Sequence, residues 1–142
     1  MGSSLLWYPR SNKTPDGIDV EPGSTGANYL TIQGFTITNT SGTITRAGIR
    51  MEQGTGAVIR NNNVNGMGTW GIFTSFAQNV LIENNVTSNS VGQHGIYVSN
   101  SADNPIVRYN LSYGNGDGVV TARQVNKLPT LGCAHGAQVT QI

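Results

Sequence analysis

Residues 94–100 read HGIYVSN, and two earlier stretches follow the same pattern: WGIFTSF at 70–76 and AGIRMEQ at 47–53. Gly-Ile or Gly-Val pairs recur at Gly17-Ile18, Gly48-Ile49, Gly71-Ile72, Gly95-Ile96 and Gly118-Val119, at intervals of 31, 23, 24 and 23 residues. A second series runs out of phase with the first: LTIQGFTITN (30–39), AVIRNNNVNG (57–66), VLIENNVTSN (80–89) and PIVRYNLSYG (105–114). Two interleaved motifs on one period define an internal repeat. Each unit holds short alternating strands divided by Gly, Asn and Ser, and no stretch sustains a helical apolar period. A unit of this length cannot bury its own apolar face. Stacked on its neighbours it can, because each strand then pairs with its counterpart in the next turn at about 4.8 Å. The spacing predicts an all-β parallel solenoid of about five turns in one domain, 1–142. Residues 1–15 form a lead-in or cap, 16–122 the turns, and 123–142 an atypical tail.

Stacking turns places equivalent residues in columns. Ile18, Ile49, Ile72, Ile96 and Val119 form one inward column, and Val20, Met51, Thr74, Val98 and Thr121 another. Ile32, Ile59, Ile82 and Val107 point inward from the second series. Asn62, Asn85 and Asn110 align, with Phe35 in their place in the first turn; stacked amides can bond one another and the backbone of a bend. Asp19, Arg50, Phe73, Tyr97 and Val120 line up outward on the first strand series, beside Glu21, Glu52, Ser75, Ser99 and Ala122. A second outward column reads Gln33, Arg60, Glu83 and Arg108, with alternating signs that avoid like-charge stacking. Next to it Thr31, Val58, Leu81 and Ile106 make an apolar outward column, which asks for a cover such as the LLWY segment at 5–8 or the tail after residue 118.

Composition narrows the function classes. The chain is 11% charged with a net charge of +1 and no basic run, so nothing suggests capture of nucleic acid. No apolar stretch is long enough to span a bilayer, and the start lacks the basic and apolar regions of a secretory signal. That pattern suits an intracellular protein, a mature form or a fragment. Cys133 is the single cysteine, so no intrachain disulfide forms. Sequons at Asn12, Asn39, Asn85 and Asn110 are mostly expected by chance in so Asn-rich a chain.

HGIYVSNSADNPIVRYN and WGIFTSFAQNVLIENNVTSN resemble the repeats of right-handed parallel β-helix proteins of the pectate-lyase-like superfamily, over roughly residues 16–118. The resemblance implies a right-handed coil, a polysaccharide partner and a secreted or cell-surface setting. Thr14-Pro15-Asp16-Gly17-Ile18-Asp19 and His94-Gly95-Ile96 resemble polygalacturonase motifs, which implies Asp16 or Asp19 as a catalytic carboxylate and His94 as a supporting histidine. The paired-aspartate motif is absent, however. Asp16 and His94 are also about three turns apart, roughly 14 Å at ~4.8 Å per turn, beyond the ~5–9.5 Å of a glycosidase carboxylate pair.

The outward face of the first series is therefore the candidate site. Asp19, Arg50 and His94 are the catalytic candidates, of polysaccharide-lyase or glycoside-hydrolase type. Phe73, Tyr97, Glu21 and Glu52 are the substrate-binding candidates, with aromatic rings for sugar faces and charged groups for hydroxyls or uronate carboxylates. Asp19, Glu21 and Glu52 are also the residues that would hold Ca²⁺. Two alternatives stand beside this reading. Arg50 can neutralise the three carboxylates across the ladder, and the chain can be a structural solenoid that associates end to end or laterally.

Overall fold

The computed structural model describes residues 16–21, 27–99, 103–117, 120–122 and 140–141. Every regular element among them is a strand. The first sheet contains β1 (Ile18–Val20), β4 (Ala47–Glu52), β7 (Trp70–Ser75), β10 (Ile96–Ser99) and β13 (Val120–Ala122). The second contains β2 (Thr31–Gln33), β5 (Val58–Arg60), β8 (Leu81–Glu83) and β11 (Ile106–Arg108). The third contains β3 (Thr36–Thr38), β6 (Asn63–Asn65), β9 (Val86–Ser88), β12 (Leu111–Tyr113) and β14 (Thr140–Gln141). All pairings are parallel except that of β14, which joins β12 antiparallel at the edge. From β1 to β12 the chain passes through the three sheets in order on each turn, so each of these strands pairs with its counterpart one turn away, as the repeat predicts.

The core is the set of inward columns. Ile32, Ile49, Ile59, Ile72, Ile82, Ile96 and Val98 are buried in one cluster with Met51, Val64 and Met67. The glycine of each Gly-Ile pair marks where the first sheet closes on the third. A Cβ at Gly48 would lie 2.3 Å from Val64 Cγ1, and one at Gly95 would lie 2.0 Å from Ser112 Oγ. No side chain fits there, so the period of the glycine is a packing requirement. The corner between the second and third sheets needs a left-handed residue in each turn. Gly34 (φ 77°), Asn61 (φ 55°), Asn84 (φ 53°) and Tyr109 (φ 55°) supply it.

The asparagine column forms a one-way ladder. Phe35, Asn62 and Asn85 each donate a backbone N–H to the side-chain oxygen of the Asn in the following turn, at 3.0, 3.0 and 2.9 Å. Each Asn returns its amide N–H₂ to a carbonyl of the preceding turn: Asn62 to Ile32 O, Asn85 to Ile59 O and Asn110 to Ile82 O. Asn85 and Asn110, both within sequons, are buried and fully engaged in this way. The charged column is ladder-paired as well: Arg60 Nε bonds Gln33 Oε1 at 2.8 Å and Arg108 Nε bonds Glu83 Oε2 at 2.9 Å.

One register differs from the sequence reading. Val120, not Val119, pairs with Ile96, and Thr121 and Ala122 pair with Tyr97 and Val98. The columns assigned to Val119, Val120, Thr121 and Ala122 therefore each shift by one residue. The turn from β10 to β13 repeats the 24-residue spacing of Ile72 to Ile96. Two adjacent valines gave the sequence no means of choosing between the registers. In the apolar outward column, Thr31 and Ile106 are exposed while Val58 and Leu81 are half-buried. Its suggested covers, 5–8 and most of the tail, lie outside the described residues.

Candidate functional site

The outer face of the first sheet carries Asp19, Arg50, Phe73 and Tyr97 on successive strands in direct register. Two groups form there, one polar and one aromatic.

The polar group is built on Arg50. Its guanidinium donates from Nη1 to Asp19 Oδ1 at 2.8 Å and to Glu21 Oε2 at 3.1 Å, and Nη2 lies 2.5 Å from Glu52 Oε1. Arg50 is 6% exposed, whereas the side chains of Asp19 and Glu21 are 37% and 41% exposed. Burial by itself would lower the Arg50 pKa. The hydrogen bonds to Asp19 and Glu21 and the charges of Asp19 and Glu52 outweigh that effect, and the net shift is upward. Arg50 is thus a fixed cation and cannot serve as a proton acceptor. It occupies the point on which the three carboxylates converge. Among the described residues no group of three His, Cys, Asp or Glu is arranged to hold a metal ion.

Asp16, implied as a carboxylate catalyst by the polygalacturonase-like motif, is occupied by a structural task. Both its oxygens accept from Arg46 Nε at 3.0 Å, Oδ2 also pairs with Arg46 Nη2, and Oδ1 accepts the Ala47 N–H at 2.8 Å. It ties the first turn to the start of β4.

The aromatic group lies one and two turns farther along. Phe73 and Tyr97 are 5.6 Å apart between ring centroids. Phe73 is only 8% exposed, because Trp70 stacks on it at 4.6 Å with 21° between the planes. Trp70 also stacks near Tyr97, at 5.9 Å and 18°. The Trp70 indole N–H donates to Gln93 Oε1 at 2.7 Å, which fixes the ring. His94 sits 5.4 Å from Tyr97. Burial lowers the His94 pKa, and the nearby negative charge of Asp117 only partly opposes this, so the imidazole is neutral at pH 7. The half-buried rings that line the outside are Trp70, Tyr97 and His94, with Phe73 as their floor.

The structure therefore brings Asp19, Glu21, Arg50 and Glu52 together in one cluster and Phe73, Tyr97 and His94 in another. His94 is two turns from Arg50, about 10 Å along the axis at ~4.8 Å per turn, so the three catalytic candidates do not share one reacting point. Trp70 and Gln93 were not among the sequence candidates. Strict alternation puts Trp70 on the same side as Ile72, facing inward. The close approach at Gly71, where a Cβ would be 2.4 Å from Gly95 O and 3.0 Å from Thr87 Cβ, interrupts the alternation and leaves Trp70 outside. The signal that could have found it was its alignment with His94 immediately before the glycine.

A family model described as right-handed beta helix region matches residues 11–133. The chain belongs to the right-handed β-helix family. No curated protein and no solved structure matches the chain significantly.

Proposed function

We propose that the outer face of the first sheet binds a polysaccharide, and that it takes a neutral chain in preference to a uronate. The observation that carries this is the fixed stack of Trp70, Phe73 and Tyr97, flanked by Gln93 and His94. Flat rings held in place receive the apolar C–H faces of sugars at little entropic cost, and the neighbouring amide and imidazole can bond hydroxyls. The preference for a neutral chain follows from Arg50, whose charge is already matched by Asp19, Glu21 and Glu52. A uronate carboxylate arriving there meets like charges rather than an available cation. The reading is one of binding. Arg50 is held protonated, and His94 lies two turns from Glu52 and three from Asp19 and Glu21.

Affinity electrophoresis in gels containing neutral glucan, mannan or galactan, with polygalacturonate in parallel, tests this. Retardation by a neutral polymer that Trp70→Ala and Tyr97→Ala both remove is the expected result. Binding to polygalacturonate alone, or retardation unchanged in both variants, sinks the proposal. The fixed position of Trp70 favours binding over a purely structural solenoid, because its stacking on Phe73 and Tyr97 contributes nothing to the inward core.

A further inference from the structure

Another exposed aromatic residue, Phe76, follows the strand that carries this surface. The corner that leaves the first sheet also needs a left-handed residue. Gln53 (φ 63°) and Phe76 (φ 54°) occupy it in successive turns. Elsewhere such positions hold mainly Gly or Asn, as at Gly66 (φ 78°), Asn89 (φ 55°) and Gly114 (φ 63°), and the two other exposed aromatics there, Tyr29 before β2 and Tyr109 after β11, border the second sheet rather than the first. Glycine lacks the Cβ that crowds this conformation, and Asn can offset the crowding by bonding the local backbone. A phenyl ring has neither advantage. Burial does not account for it either: Phe76 is 53% exposed and is not part of the core cluster. A strained backbone that presents an exposed ring points to a use for the ring.

Its place suggests the use. Phe76 directly follows the last residue of β7, the strand that carries Trp70 and Phe73. Three residues of extended chain put its Cα about 10 Å from that of Phe73. We infer that Phe76 is an outer subsite of the glycan-binding surface, stacking on a sugar of a neutral chain beyond those held at Trp70 and Tyr97. The chain then runs along the direction of β7 rather than along the solenoid axis. This inference rests on the polysaccharide-binding reading above.

The test measures calorimetric affinities for β-1,4-linked glucose and mannose oligomers of two and six units, with wild type, Phe76→Asn and Trp70→Ala, alongside thermal melting. Asn suits the left-handed conformation, so Phe76→Asn should melt no lower than wild type. It should lose about five- to tenfold in affinity for the hexamers and nothing for the dimers. Trp70→Ala should weaken both lengths. If Trp70→Ala weakens binding but Phe76→Asn leaves hexamer affinity intact, the Phe76 subsite is wrong and the surface stands. If Phe76→Asn melts lower and loses both lengths alike, its role is structural and the subsite is again wrong. If wild type binds no oligomer, or Trp70→Ala binds as wild type does, the surface reading falls and Phe76 falls with it.

Discussion

Replacing Asn85 by Ala removes the middle rung of the asparagine ladder, and the structure allows the cost to be worked out. The Asn85 side chain accepts from the Asn62 backbone N–H at 3.0 Å and from Asn62 Nδ2 at 2.9 Å, and it donates to Ile59 O and Asn110 Oδ1, each at 2.9 Å. After truncation the buried Asn62 N–H loses its acceptor, at about 1–3 kcal/mol. Asn62 Nδ2 keeps Ile32 O, and Asn110 Oδ1 keeps the Asn85 N–H, so these groups are weakened rather than stranded. Adding about 0.5 kcal/mol for each of these and for Ile59 O, which loses a donor, gives a loss of about 3–4 kcal/mol. That is a large share of the roughly 7–20 kcal/mol usual for a chain this long. Asn62→Ala should cost about 1 kcal/mol, because the N–H it strands belongs to Phe35, which is exposed and within reach of water. Urea denaturation at pH 7 with matched slopes measures both. A loss below about 1 kcal/mol for Asn85→Ala, or equal losses for the two variants, would refute the argument that the ladder's value lies in the buried N–H groups it satisfies.

Arg50→Met should destabilise by about 2–3 kcal/mol at pH 7, less than for a fully buried pair because Asp19 and Glu21 are partly solvated and screened. The three carboxylates are then left facing one another, and a variant as stable as wild type at pH 7 contradicts the electrostatic account. His94 has a lowered folded-state pKa, chiefly through burial, so its contribution is present above the unfolded value near 6.5 and is lost as pH falls through the folded value. Wild type should therefore lose more stability than His94→Gln between pH 7 and pH 5, and a stability difference between the two that does not change with pH would show that His94 is not held neutral.

The fold was readable because its requirements repeat. Gly48, Gly71 and Gly95 recur where two sheets leave no room for a Cβ, and Asn62, Asn85 and Asn110 recur where a backbone N–H needs a partner in the next turn. Either pattern gives the period, and the period gives the sheets. Its resolution ended at one residue, since Val119 and Val120 fit the column equally well as letters and only the length of the preceding turn decides between them. The self-neutralised Arg50 was also foreseeable, because a cation in register beside three carboxylates has few other arrangements available. Trp70 was not foreseeable from alternation, because the glycine that closes the core also interrupts it.

That exception explains where specific function can reside on such a scaffold. An inward position must satisfy the turns on both sides of it, so its residue reports on packing alone. An outward position is free of that demand, and the first sheet uses the freedom differently at its two ends. At Asp19, Glu21, Arg50 and Glu52 opposite charges consume one another across neighbouring strands. At Trp70, Phe73 and Tyr97 the rings support one another, and only Phe73 is given up to burial. An arginine already shared among three carboxylates keeps little affinity for a further anion, whereas a ring stack keeps an outer face however well it is packed beneath. Recognition on this face should therefore depend on shape and apolar contact, with the charges serving to hold the first turns together. Salt gives a direct discrimination: glycan affinity governed by the rings should hold nearly constant as ionic strength rises, while affinity governed by Arg50 and its carboxylates should fall.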